Sequence, residues 1–260
     1  MRFRIMAVAI VTAGMSLHAA PGLTSLALVC AEGGTTCAGA QASMLATGLF
    51  SSVDVFDTTS STPTLSAISG YGFVLAWTDS IPSSGAAVGN LLASYYALGG
   101  RHLTVATYGF SNPWEISGTI MTGGYVALTN VGANGDVSGN VVASVPSDPI
   151  FSGITLSTVT FSHNGNYSHP GLASGATLLA TDGAGINMIA RSSLGVVNVN
   201  MWPGGGGSAS FFKLLGQTLT NGSTLPPTPA PPTWILLATG LAGLALYQMK
   251  DRWLQRVRSI

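Results

Sequence analysis

Apolar residues in the middle of this chain fall into short runs broken by Gly, Ser and Thr, and longer apolar stretches occur only towards the two ends. The runs 25–30 (SLALVC), 53–56 (VDVF), 72–77 (GFVLAW) and 102–106 (HLTVA) have the length and propensity of strands. Between the last two, Val88, Leu91, Leu92, Tyr95 and Tyr96 recur at helical spacing and form one stripe. Gly99 and Gly100 follow, where a left-handed cap would stop that helix. Residues 38–50 read as a helix-tolerant segment with Met44, Leu45 and Leu49 on one side, and 62–68 as a loop or short helix. Alternation of strand and helix, with continuous apolar strands, predicts an α/β fold whose mostly parallel sheet is sandwiched by helices.

Past Tyr108 the pattern loosens. Residues 112–140 are rich in Gly and Thr, and 125–128 is their firm apolar run. Residues 154–161, 177–180, 187–190 and 196–200 read as further strands, the last three close enough for a hairpin or meander joined to the main sheet. Ser208 is placed to cap a final helix carrying Phe211, Leu214, Leu215 and Leu219. The Gly204–Gly207 run lacks the Lys-Ser/Thr of a phosphate-binding loop and reads as a plain turn.

The ends have a different character. Arg2 and Arg4 precede the apolar stretch 5–15, and small residues follow around Ala19 and Ala20. Basic, then apolar, then small is the layout of a secretory signal peptide, so 1–20 is expected to be removed by signal peptidase. Residues 21–222 then make one domain, and 223–233 a proline-rich linker. Residues 234–260 begin with the apolar segment WILLATGLAGLALY and close on Lys250, Arg252, Arg256 and Arg258. As a helix the apolar segment covers roughly 22 Å, against ~30 Å of hydrocarbon, so it spans a membrane only with bilayer thinning or snorkelling of its basic end.

Charge supports export. The chain has nine bases and nine acids, but only Arg101, Arg191 and Lys213 lie between the end segments. They face Glu32, Asp54, Asp57, Asp79, Glu115, Asp136, Asp148 and Asp182, three bases against eight acids, a balance of −5. That is no footprint for nucleic acid. Cys30 and Cys37 are the two cysteines, and in an exported chain a local disulfide is the leading reading, against two buried thiols. No cofactor motif and no metal-ligand spacing is present: His163 and His169 sit in a polar loop that imposes no geometry.

The tail Pro229, Ala230, Pro231, Pro232, with Thr233 and Trp234 leading into the apolar run and basic end, resembles the PEP-CTERM sorting signal of Gram-negative bacteria that make extracellular polymeric matrix. Ala230 stands where that signal usually has Glu, and the basic end is longer and less dense. The resemblance implies export, recognition and cleavage by an exosortase, and release or tethering at the cell surface. A permanent membrane anchor is the alternative.

Residues 25–221 loosely resemble the class I glutamine amidotransferase-like domains, most in 86–106, in Asp148-Pro-Ile-Phe-Ser-Gly-Ile and in 175–202. The resemblance implies a flavodoxin-like α/β sandwich. Active members carry a nucleophilic cysteine on the sharp turn after the strand matching 102–106, served by a histidine. This chain has Thr107, Tyr108, Gly109 and Phe110 there, so the thiolate is missing. The expectation is a non-catalytic domain with a binding or structural role in the envelope or matrix. The alternative is a hydrolase using Thr107, or Ser80, with His163 or His169. Ligands of open α/β sheets bind beyond the carboxyl ends of the strands, which selects Glu32, Asp79, Ser80, Tyr108 and Trp114. Aromatic rings over a polar floor suit a sugar or a peptide.

Overall fold

A computed structural model describes residues 24–131, 134–135, 139–161 and 167–222. The expected signal peptide, the sorting motif Pro229, Ala230, Pro231 and Pro232, the apolar tail and His163 lie outside the described residues. Among the described residues, no helix is long and apolar enough to cross a membrane.

The strands and helices follow in the order β1 (Ser25–Ala31), α1 (Gly34–Ala46), β2 (Ser52–Asp57), α2 (Leu65–Ile68), β3 (Phe73–Thr78), α3 (Gly85–Ala97), β4 (His102–Ala106) and α4 (Thr119–Thr122). Short strands β5 (Leu128–Thr129), β6 (Asn134–Gly135), β7 (Val142–Ala143), β8 (Tyr167–Ser168) and β9 (Gly171–Leu172) come next. The chain then runs through β10 (Thr177–Thr181), β11 (Asn187–Arg191), β12 (Val197–Val199) and α5 (Ala209–Thr220). The main sheet has eight strands in the order β2-β1-β3-β4-β12-β11-β10-β7. From β2 to β12 every pair is parallel, with Leu28 opposite Val55 on one side and Leu75 on the other. β11, β10 and β7 extend it antiparallel; β10, β11 and β12 are the expected meander, and β7 is an edge strand the sequence pattern does not predict.

Two apolar layers cover this sheet. On one face, Met44 of α1 and Phe211, Leu214, Leu215 and Leu219 of α5 pack on Leu26, Leu28, Leu75, Trp77, Val197 and Val199. On the other, Val88, Leu91, Leu92, Tyr95 and Tyr96 of α3, with Ile68 and Ile120, pack on Ala27, Val29, Val74, Ala76, Leu103 and Val105. Strands β1, β3 and β4 are buried on both faces, which is why they read as unbroken apolar runs, whereas the edge strand β2 alternates. Each Val, Leu, Ile, Phe or Met side chain in these layers contributes about 1.5–3 kcal/mol on burial.

The α3 stripe forms as the spacing predicts. Ser84 Oγ accepts from Ala87 N at its start, and Gly99, at φ 73°, turns the chain out at its end. Gly89 lets the same helix meet the 117–120 segment at backbone distance, where a Cβ would overlap the Ser117 carbonyl. Ser208 caps α5, accepting from Phe211 N at 3.2 Å.

Two elements differ from expectation. α1 starts at Gly34, earlier than predicted, and buries Cys37, Ala40 and Met44, while Leu45 is 49% exposed. Residues 154–161 form no strand but a 3₁₀ turn at Leu156–Thr158 and a single bridge from Phe161 to Gly207. Their backbone polar groups go to the start of α5 instead of a ladder: Ser208 Oγ donates to Thr158 O and accepts from Thr160 N.

Candidate functional site at the carboxyl edge of the sheet

The exits of the central parallel strands are stitched to one another by backbone hydrogen bonds. Ala31 O, closing β1, accepts from Asp79 N at 3.0 Å and Ser80 N at 2.8 Å just beyond β3. Thr78 O accepts from Tyr108 N at 2.7 Å, and Val199 O accepts from Thr107 N at 2.9 Å. Glu32, Asp79, Ser80, Thr107 and Tyr108 are thereby gathered along one edge, where ligands of open α/β sheets bind.

Glu32 is the most perturbed group of this edge. Trp77, fully buried, donates its indole N–H to Glu32 Oε2 at 2.5 Å. The backbone of Gly204 lies directly on the carboxylate, so that a Cβ there would overlap it. Burial pushes the Glu32 carboxyl from its ordinary 4.5 up to about 7; the indoles of Trp77 and Trp202 hold it down in part, and the neighbouring Asp79 adds to the rise. The Trp202 N–H is close enough to act on the carboxylate but makes no hydrogen bond of ordinary geometry. Burial also raises Asp79. Tyr108 is pushed up to about 12, by burial first and then by the charges of Asp79 and Glu32. At neutral pH, therefore, this edge holds a phenol that keeps its proton and a carboxyl poised to donate or accept.

The aromatic part of the edge is also in place. The rings of Tyr108 and Trp114 lie 5.2 Å apart at 43°, with Trp114 half-buried beside the cis Asn112–Pro113 bond. Thr107 is fully buried, and its hydroxyl donates to Asn200 Oδ1 at 3.1 Å. Asn200 Nδ2 donates in turn to Asn187 O, and Asn187 Nδ2 to Pro170 O. His169 packs against Gly135, with its Nε2 buried and without a hydrogen bond among the described residues. Asp148 and Asp182 are engaged in structural contacts. Asp148 pairs with Arg191, and Asp182 Oδ1 accepts from Ala184 N and Ile186 N in a turn. Among the described residues no three His, Cys, Asp or Glu side chains cluster as metal ligands.

Cys30 and Cys37 form a disulfide, which joins the end of β1 to α1. A separate cleft of about 210 Å³ lies between α1 and the start of α5, lined by Ser43, Ala46, Thr47, Gly207, Ala209 and Phe212. It contains no titratable side chain.

Sequence reasoning selected the acids and Tyr108 but not Trp77, Trp202 or Gly204. One signal was present: a tryptophan in a fully apolar strand needs an acceptor for its indole N–H. Glu32, just past the neighbouring strand, is such an acceptor.

No protein-family model and no curated protein matches the chain. Among solved structures it is similar to the crystal structure of SMU.1228c, at 13% identity over 68% of this chain and 76% of that one, with a TM-score of 0.42.

Proposed function

We propose that this is an exported, amidotransferase-like domain that has lost glutamine hydrolysis and binds a ligand at the carboxyl edge of its sheet. Its setting is the envelope or extracellular matrix of a Gram-negative bacterium, tethered by its tail or released by an exosortase. The observation that carries the reading is the pairing of Glu32 and Asp79 with the Tyr108–Trp114 rings at that edge. Carboxyl groups that accept and donate, beside aromatic faces, suit the hydroxyls and ring faces of a carbohydrate.

Further support comes from the rest of the fold. The parallel part of the sheet runs β2-β1-β3-β4-β12, the flavodoxin-like order with β12 in fifth place. The turn after β4 carries Thr107, and both cysteines are joined in the disulfide, which suits an oxidising compartment. Binding is favoured over hydrolysis because the Thr107 hydroxyl is buried and donates to an amide oxygen rather than to a base.

The test is a glycan array probed with the full chain and with Glu32→Gln, Asp79→Asn and Trp114→Ala. Binding that the variants weaken at least tenfold is expected. Failure of every glycan to bind, or release of ammonia from glutamine or of products from an ester that Thr107→Val abolishes, overturns the reading. Mass spectrometry of the protein from cells tests the address: an N-terminus near Ala19 or Ala20 is expected, and intact Met1 and Ile260 on a cytosolic protein overturn export.

A further inference from the structure

Glu32 lies inside the ring that the disulfide closes. Cys30, near the end of β1, and Cys37, in the first turn of α1, are both fully buried and seven apart in sequence. Upstream of Glu32 the backbone is fixed, because Ala31 O accepts from both Asp79 N and Ser80 N. Downstream the sequence supplies little restraint. Gly33 sits at φ 86°, and neither Gly33 nor Gly34 has an atom within 4 Å of where a Cβ would stand. The helix that follows has no side-chain cap. Paired glycines carry the largest backbone freedom of any dipeptide, and an uncapped helix start leaves its first N–H groups unsatisfied. A loop of this composition does not hold a half-buried carboxylate in place by itself.

We propose that the Cys30–Cys37 disulfide is the positioning element of this edge, seating the Glu32 carboxyl against Trp77 and Gly204 only after the two thiols have been oxidised. Its consequence for ligand binding rests on the reading given under Proposed function, whereas its test needs no ligand. The opening step is thiol–disulfide exchange with a dithiol. A reductant thiolate attacks one sulfur, the other cysteine leaves as thiolate, and the second reductant thiol closes a cyclic disulfide and frees the first. Two electrons and two protons pass from the dithiol, leaving Cys30 and Cys37 as thiols. The groups that act on the seated carboxyl are the Trp77 indole of β3, the Trp202 indole after β12 and Asp79 after β3, and it in turn acts on Tyr108 after β4. No cation is among them. A carboxyl that leaves this seat loses its burial and titrates near its ordinary 4.5.

Tryptophan fluorescence of the full chain, followed from pH 3 to 9, reads the seat because Trp77 donates to Glu32. In the oxidised protein a transition near pH 7 is expected, and Glu32→Gln removes it. In Cys30→Ala/Cys37→Ala, and in protein refolded with dithiothreitol, the transition is expected to move towards 4.5. A transition that stays near 7 in a disulfide-free protein with native circular dichroism overturns the proposal. A second measurement uses chains with the disulfide intact. If bond and seat are coupled, each favours the other, so Glu32→Ala should raise the equilibrium constant for reduction by dithiothreitol about fivefold or more. An unchanged constant also overturns it. A failed glycan screen leaves both readouts standing, and so separates the two ideas.

Discussion

Arg191 and Asp148 meet in a two-pronged ion pair, Nη1 to Oδ2 and Nη2 to Oδ1, both at 2.9 Å. Their side chains are only 16% and 7% exposed. Each has a second task. Asp148 Oδ1 accepts from Ile150 N and starts the 3₁₀ turn Pro149–Phe151. Arg191 Nε donates to Gly222 O beyond the end of α5. One guanidinium at the end of β11 thus ties together the sheet, the turn and the last helix. Arg is suited to this because its planar fork matches a carboxylate at two points.

Removing one partner leaves the other charge largely buried, so Asp148→Ala and Arg191→Ala should each lose about 3 kcal/mol or more. The double variant should lose less than the sum of the two, because it strands no charge. Urea denaturation of the four proteins measures the coupling. Fully additive losses would mean that the pair contributes nothing beyond its separate contacts.

Glu32 makes stability depend on pH with a definite sign. Its folded value, about 7, lies above the ordinary 4.5, so the folded chain holds a proton that the unfolded chain has released. The stabilisation is complete below about 4.5, is lost as pH rises towards 7, and is flat above. The raised Asp79 acts in the same sense, and His102, lowered by burial, in the opposite one. The difference between wild type and Glu32→Gln isolates Glu32. After screening of a carboxyl that keeps some solvent contact, that difference should change by about 1–2 kcal/mol across the window. Thermal denaturation at pH 4.5, 6 and 7.5 reads it, and a difference that does not vary with pH would exclude a raised Glu32.

The sequence pattern reached the parallel sheet and α3 because both depend on local periodicity. Runs buried on both faces read as apolar throughout, and a stripe such as Val88 to Tyr96 has one solution. It failed at 154–161, where Val159 and Phe161 are indeed buried and Ile154 and Leu156 partly so, but Phe161 packs on Phe211 at 5.9 Å and Ser208 takes the backbone groups. Only the position of α5 decides that, and no window of sequence contains it. The site divides the same way. Acids just past apolar strands could be placed by topology, whereas Trp77 and Gly204 meet Glu32 through pairing of strands far apart in the chain. The Gly204–Gly207 run, bland as a motif, has two glycines that are sterically required, Gly204 against Glu32 and Gly207 against Phe211 and the Thr160 carbonyl.

The disulfide should contribute to stability as well as to position. A ring over a sequence separation of 7 restricts the unfolded chain by about 2–3 kcal/mol in the chain-entropy account. For a domain of this size Cys30→Ala/Cys37→Ala should melt about 5–10 °C lower while remaining folded. Differential scanning calorimetry tests this. An unchanged midpoint would place the restraint elsewhere in the β1–α1 loop.

Gly204→Ala separates seating of Glu32 from both charge and redox state. Gly204 has no left-handed φ, so alanine suits the backbone there, and the conflict is steric alone: the new Cβ falls on the Glu32 carboxylate. The carboxyl must then leave Trp77, whose fully buried indole N–H loses its acceptor. A loss of about 1–3 kcal/mol is expected from the orphaned donor, with the fluorescence transition falling from near 7 towards 4.5. Gly39→Ala is the control, since nothing lies within 4 Å of a Cβ there and α1 should gain up to about 1 kcal/mol. If Gly204→Ala instead keeps both the transition and the stability of wild type, Glu32 is not held where Trp77 and Gly204 enclose it.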